Sequence, residues 1–142
     1  RFHDVDALID GLEPALLPFR ELNRVAARIQ SSVQAAPTVE DYALDLCAAT
    51  RRPADFGIAI DGVDVERLVL SGVSPRGMGM LMRAAKVAAW LQGRERLLPE
   101  DLHAVLHETL AHRIFFSPVY ELQRATLIDV LMRRLVERVP SP

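Results

Sequence analysis

Hydrophobic and polar residues along this chain repeat with a helical period over most of its length. Val39, Tyr42, Ala43, Leu46 and Cys47 stand at i, i+3, i+4, i+7 and i+8, one face of an amphipathic helix. Thr38 reads as its N-cap, Asp41 as a capping-box acid, and Arg51-Arg52-Pro53 as its end. Upstream, Pro18 opens a helix to about Ile29, with Phe19, Leu22, Val25, Ala26 and Ile29 on one side. Before it, residues 1–11 read as a short acidic amphipathic segment stopped by Gly11 and Pro14, so that 1–16 is a connecting segment.

The strongest helix signal lies between Ser74 and Gln92. Ser74 is an N-cap, and Pro75 suits the first helical position, where its missing N–H is not needed. Met78, Leu81, Met82, Ala85, Ala88 and Ala89 project from one side, and Met80, Ala84, Val87 and Leu91 cover a flank. A helix apolar on two sides is central to its domain. Gly93 stops it, and residues 94–98 form a connector. Pro99-Glu100-Asp101 starts another helix with acids in the first turn, burying Leu102, Val105, Leu106, Thr109 and Leu110. Ser117-Pro118 caps a last helix carrying Leu127, Ile128, Leu131 and Leu135.

The period changes only after Pro53. Phe56, Ile58 and Ile60 alternate with small residues, Asp61-Gly62 is a favoured turn, and Val63 and Val65 alternate again. That pattern fits a β-hairpin around residues 56–65 or an irregular loop. The fold class is therefore all-α: a single domain over 1–142, a small helical bundle of about five helices with this short insertion.

Composition changes little in that picture, whereas the distribution of charge changes more. Half of the 142 residues are hydrophobic and 25% are charged, which suits a globular domain with a real core. The net charge is −2, but residues 1–71 sum to −5 and residues 72–96 to +4. A nucleic-acid binder is normally basic throughout, so nucleic acid is not expected as a partner. Cys47 is the sole cysteine and is read as a small buried hydrophobe. No apolar run reaches the length of a membrane span and no signal peptide is visible, so the expected location is cytoplasmic. A start at Arg1 rather than Met suggests a fragment.

The local positive charge is concentrated in one place. Arg76, Gly79, Arg83, Lys86 and Trp90 fall within an arc of about 80° on the central helix. Arg76 sits in the first turn, at the positive end of the helix dipole, where a cation is unfavourable unless an external anion shares the site. His103 and His107 lie four apart, but the HExxH order and a third ligand are missing, so no metal site is expected. Neither a GxxxxGK[ST] loop nor a GxSxG elbow is present.

Several motifs in order then match one family. Tyr42 through Thr50-Arg51, Gly72-Val73-Ser74-Pro75-Arg76-Gly77, Ala84-Ala85-Lys86 through Gly93-Arg94, Pro99-Glu100-Asp101-Leu102 and His112-Arg113 resemble the C-terminal lid of MoxR-type AAA+ ATPases, as does the closing Val139-Pro140-Ser141-Pro142. The resemblance runs from about Leu17 onward. It implies that Arg76 is the sensor-2 arginine, the catalytic contribution of this domain, and that Ser74, Pro75, Arg76 and Gly77 face the nucleotide phosphates. It also implies a longer ATPase using ATP and Mg²⁺, with the Walker motifs in a core outside these residues. This fragment would be inactive and nucleotide-free by itself. The implied partners are that core, neighbouring subunits of a hexameric ring, and a protein with a von Willebrand factor A domain, in a chaperone-like role. The family's connection before Ser-Pro-Arg is usually shorter, so residues 53–66 read as an insertion tolerant of replacement. The competing reading is a stand-alone helical module binding nucleic acid or a protein through Arg76, Arg83, Lys86 and Trp90.

Overall fold

The computed structural model describes residues 9–11 and 18–142, so most of the connecting segment expected over 1–16 lies outside the described residues. The described residues form six α-helices: α1 (Phe19–Ser32), α2 (Pro37–Arg51), α3 (Pro75–Leu91), α4 (Pro99–Leu110), α5 (Pro118–Glu121) and α6 (Arg124–Arg138). Two short strands, β1 (Val69–Ser71) and β2 (Phe115–Phe116), pair antiparallel. Among the described residues, no helix is long and apolar enough to cross a membrane.

On its Leu81 side α3 is central, as expected, whereas Met80 and Leu91 of the expected apolar flank are exposed. It packs most extensively on α4 and also touches α1 and α2. Leu81, Ala85 and Ala89 are wholly buried on it, and the two alanines let neighbouring backbones approach closely. Around them gather Leu46 of α2, Leu102, Leu106 and Leu110 of α4, and Leu131 and Leu135 of α6.

Three local expectations are revised. The N-cap of α2 is Ala36 rather than Thr38, because Pro37 takes the first helical position with its φ already set. Consequently Asp41 lies beyond the capping-box position. The apolar face of α1 is only half used: Ile29 is buried, whereas Phe19, Leu22 and Val25 remain exposed. The last helix is two helices, broken at Leu122-Gln123. Arg124 at that break donates to the carbonyls of Ile114 (2.7 Å) and Ala111 (2.9 Å), while the Tyr120 hydroxyl accepts the Asp64 N–H (2.9 Å). Those anchors tie the break to residues 111 and 114 and to Asp64.

Of the two readings of residues 53–66, the structure takes the irregular one. The turn at Asp61-Gly62 is present, with Gly62 at φ 74°, but no strands flank it. The small β component lies instead between Val69 and Phe116 and between Ser71 and Phe115. Residues 53–66 carry two 3₁₀ turns, Pro53–Phe56 and the start of Val65–Arg67. Pro53, Ile58 and Val65 are buried. Phe56, Ile60 and Val63 pack against the same core. The alternating apolar residues of this segment thus serve burial in a coiled path, because a two-stranded hairpin has no face of its own to pack.

Candidate functional site at the start of the central helix

Ser74 caps α3 as its sequence predicts: the Gly77 N–H donates to Ser74 Oγ at 3.3 Å, and Pro75 occupies the first turn. No acid lies in that turn. Arg76 is exposed there, and among the described residues it has neither a hydrogen-bond partner nor an ion pair. Its contrast with Arg124 is informative, since that arginine also stands in a first turn but is turned onto two carbonyl oxygens. Arg76 has no such internal use.

The approach to Ser74 is tightly held. Val73 is fully buried, and its N–H donates to Thr50 Oγ1 at 3.0 Å while its carbonyl accepts from Arg51 Nη1 at 3.2 Å. Thr50 is itself buried and donates its hydroxyl proton to the Cys47 carbonyl at 2.7 Å, leaving a lone pair for Val73. A Cβ at Gly72 would stand 2.6–2.8 Å from Arg51 Cγ, Cα and N, and one at Gly77 would stand 2.6 Å from Val73 Cγ1. Gly72 lets two stretches of backbone meet and Gly77 makes room for the Val73 side chain; neither has a positive φ.

Beside this helix start is an open cleft of about 290 Å³, lined by Ser71, Gly72, Ser74, His112, Arg113 and Phe115. The β1–β2 pairing brings its two walls together. Arg113 Nε donates to the Thr109 carbonyl at 3.1 Å, which fixes the stem of a second guanidinium near the first turn of α3. The sequence singles out Arg113 and Thr50 only as parts of family motifs, and Arg51 only as such and as part of a helix end. Their placement around Val73 and Gly77 depends on chain returns from positions 22–40 residues away, which no local pattern signals.

The remainder of the cationic stripe is used differently. Lys86 Nζ donates to the Gln30 carbonyl at 3.1 Å, in the last turn of α1, and Gln30 Nε2 donates to the Arg83 carbonyl at 3.1 Å. Trp90 borders a groove with Val25, Arg28, Ile29, Ser32 and Glu95. The stripe is thus interrupted midway by α1, with Arg76 and Arg83 exposed on the far side of the contact.

The histidines take separate partners. His103 Nε2 lies 2.7 Å from the Tyr42 hydroxyl, and His107 Nε2 lies 2.9 Å from Asp129 Oδ1. Burial lowers the His103 pKa, against an opposing pull from Glu100. Among the described residues, no three His, Cys, Asp or Glu side chains converge. Cys47 is buried as expected, and burial pushes its thiol up to about 11 despite the nearby Arg51 charge. Asp101, also buried, receives Arg94 Nη1 and Nη2 at 2.7 and 2.6 Å and the Leu98 N–H at 2.9 Å. Burial alone would raise its carboxyl pKa; the hydrogen bonds from Arg94 and Leu98 outweigh it, and the Arg94 charge adds to them, holding it below the usual value. This bidentate pair ties the end of α3 to the start of α4.

Comparison with known proteins adds a consistent result. Residues 64–136 match the AAA lid domain family. The whole chain is 49% identical to the protein MoxR of Paracoccus denitrificans and 45% identical to that of Methylorubrum extorquens. It spans only 42% and 41% of the length of those curated relatives. The chaperone MoxR1 of Mycobacterium tuberculosis is 29% identical over 72% of this chain, which covers 26% of that protein. The crystal structure of a candidate ATPase from Cytophaga hutchinsonii superposes with a TM-score of 0.68 at 28% identity, over 81% of this chain and 33% of that one.

Proposed function

This chain belongs to the AAA lid domain family, as the lid of a MoxR-type AAA+ ATPase, and from that premise we propose that it closes over ATP held by a core domain and presents Arg76 to the phosphates. The observation that carries the reading is Arg76 itself, a cation in the first turn of a seventeen-residue helix with no acid in that turn and no partner among the described residues. The donor set suits a nucleotide phosphate: a planar guanidinium can bind two oxygens, and the Arg76 N–H, the one N–H of the first turn that the cap leaves open, adds to the positive end of the helix dipole. Bound ATP would supply the phosphoryl group to be transferred to water. Ser74, Pro75 and Gly77 contribute geometry, as a capped and closely packed helix start that aims Arg76 outward. Mg²⁺ ligands and the Walker segments are assigned to the core, in keeping with the family.

In the complete protein the lid would act within a ring, with hexamer the expected size. It would relay nucleotide state to neighbouring subunits and to a chaperone-like task, with a von Willebrand factor A domain protein as the expected partner. The reading as a nucleic-acid module is less favoured, because Lys86 is engaged with the end of α1 and the cationic stripe is not continuous.

The test is Arg76→Ala in the full-length ATPase. Loss of a charge-assisted bidentate contact costs about 1.5–3 kcal/mol, so turnover or nucleotide affinity should fall about 10- to 150-fold. Arg76→Lys should recover only part, since a point charge cannot reproduce the planar fork. Unchanged turnover and affinity in Arg76→Ala would overturn the assignment.

A further inference from the structure

We infer that Thr50 and Arg51, at the end of α2, are positioning residues for Arg76, acting through the backbone of Val73. The inference rests on the reading of Arg76 as the phosphate-binding arginine and adds the device that aims it. Residues 72–74 lie between β1 and α3, so Val73 has no helix or sheet partner for its N–H and carbonyl. Consecutive residues of α2 take both: Thr50 Oγ1 accepts the N–H at 3.0 Å and Arg51 Nη1 donates to the carbonyl at 3.2 Å. Held at both polar groups, Val73 cannot rotate about its own peptide units without leaving a buried group unpaired.

The hold is transmitted to Arg76 by packing. Val73 Cγ1 occupies the space beneath Gly77, where a Cβ would come within 2.6 Å, and Gly77 is the residue after Arg76. On the other side Gly72 lies against the Arg51 backbone with no room for a Cβ. The α2 end, Val73 and the first turn of α3 therefore form one rigid stack, with Arg76 on its outer side. Thr50 is suited to the task because its hydroxyl proton is already given to the Cys47 carbonyl, so its oxygen can only accept at Val73. A small rotation of this stack would swing the guanidinium by an ångström or so, and a misplacement of about 1 Å can cost on the order of 100-fold in rate.

The test uses the full-length ATPase with Thr50→Val, which keeps shape and removes the acceptor, and Thr50→Ser, which restores it. Thr50→Val should lower kcat about 10- to 100-fold, and Thr50→Ser should recover most of it. An additional double-mutant cycle separates positioning from general weakening. If Thr50 acts through Arg76, the double variant Thr50→Val/Arg76→Ala should be no slower than Arg76→Ala alone. Multiplicative losses would overturn the inference. So would wild-type turnover in Thr50→Val alongside impaired Arg76→Ala, which leaves the reading of Arg76 intact. Unimpaired Arg76→Ala instead removes the reading itself, and the inference with it. Should Thr50→Val fail to fold, Arg51→Met tests the carbonyl side of the same clamp from an exposed position, with the same cycle and the same outcomes.

Discussion

Two glycines two residues apart in α3 show how much a single position depends on its surroundings. Gly77 is buried with Val73 Cγ1 where its Cβ would be, whereas Gly79 faces open space. In a helix interior, Gly is less stable than Ala by about 0.5–1 kcal/mol, chiefly through backbone entropy. Gly79→Ala should therefore stabilise the protein by roughly that amount, while Gly77→Ala should destabilise it by about 1–3 kcal/mol through overpacking. Denaturant midpoints of the two variants would check this, and a stabilised Gly77→Ala would mean that the Val73 contact is looser than described. Leu81 offers a sharper test of the buried face. Wholly buried, it cannot accept a charge without a partner, and Leu81→Asp should abolish the cooperative melt, since an unpaired buried charge costs several kcal/mol.

At the scale of elements, the segment from Pro53 to Glu66 carries the clearest lesson. Its alternation and its Asp61-Gly62 turn suggest a hairpin or an irregular loop that could be replaced, yet it contributes Pro53, Ile58 and Val65 to the buried interior. Replacing it with a Gly/Ser linker should lower stability by several kcal/mol, because each large aliphatic side chain removed from burial costs about 1.5–3 kcal/mol. Helical circular dichroism during a thermal melt would report this. A melting temperature unchanged by the replacement would show that the segment is dispensable. Helix α1 differs in the opposite sense. Its stripe was legible as Phe19, Leu22, Val25, Ala26 and Ile29, but only the Ile29 end is covered. Periodicity identifies which residues share a face and is silent on how far a neighbour extends along it.

For the molecule as a whole, the buried Asp101 and the half-buried His103 set an expected pH response among the described residues. His103 favours its neutral form when folded, so its pKa lies below the usual 6.5 and the unfolded chain binds the extra proton. Its contribution is complete above 6.5 and declines as the pH falls through that value. Asp101 is held below its usual 3.8, so its contribution is complete above 3.8 and is lost only in stronger acid, as the pH falls through the folded value. Stability measured by urea denaturation should thus decline in two stages. His103→Gln should flatten the stage that sets in as the pH falls through 6.5, and Asp101→Asn should flatten the more acidic one. An unaltered slope just below pH 6.5 in His103→Gln would show that another group governs it.

The helical class, the central place of α3, its Ser74 cap and the oddity of Arg76 could all be read from the sequence, because each depends on residues within a turn or two of one another. The same holds for the matched family motifs, which are strings of neighbours. Tertiary structure alone decided what surrounds them. The hold of Thr50 and Arg51 on Val73, the seat of Lys86 on the end of α1, and the pairing of β1 with β2 join residues 22 to 56 positions apart. Such contacts are selected by the closing of the whole core. A hydroxyl or an ammonium can serve many backbone groups equally well, and only the packing of α1, α2 and α4 around α3 determines which one comes within reach.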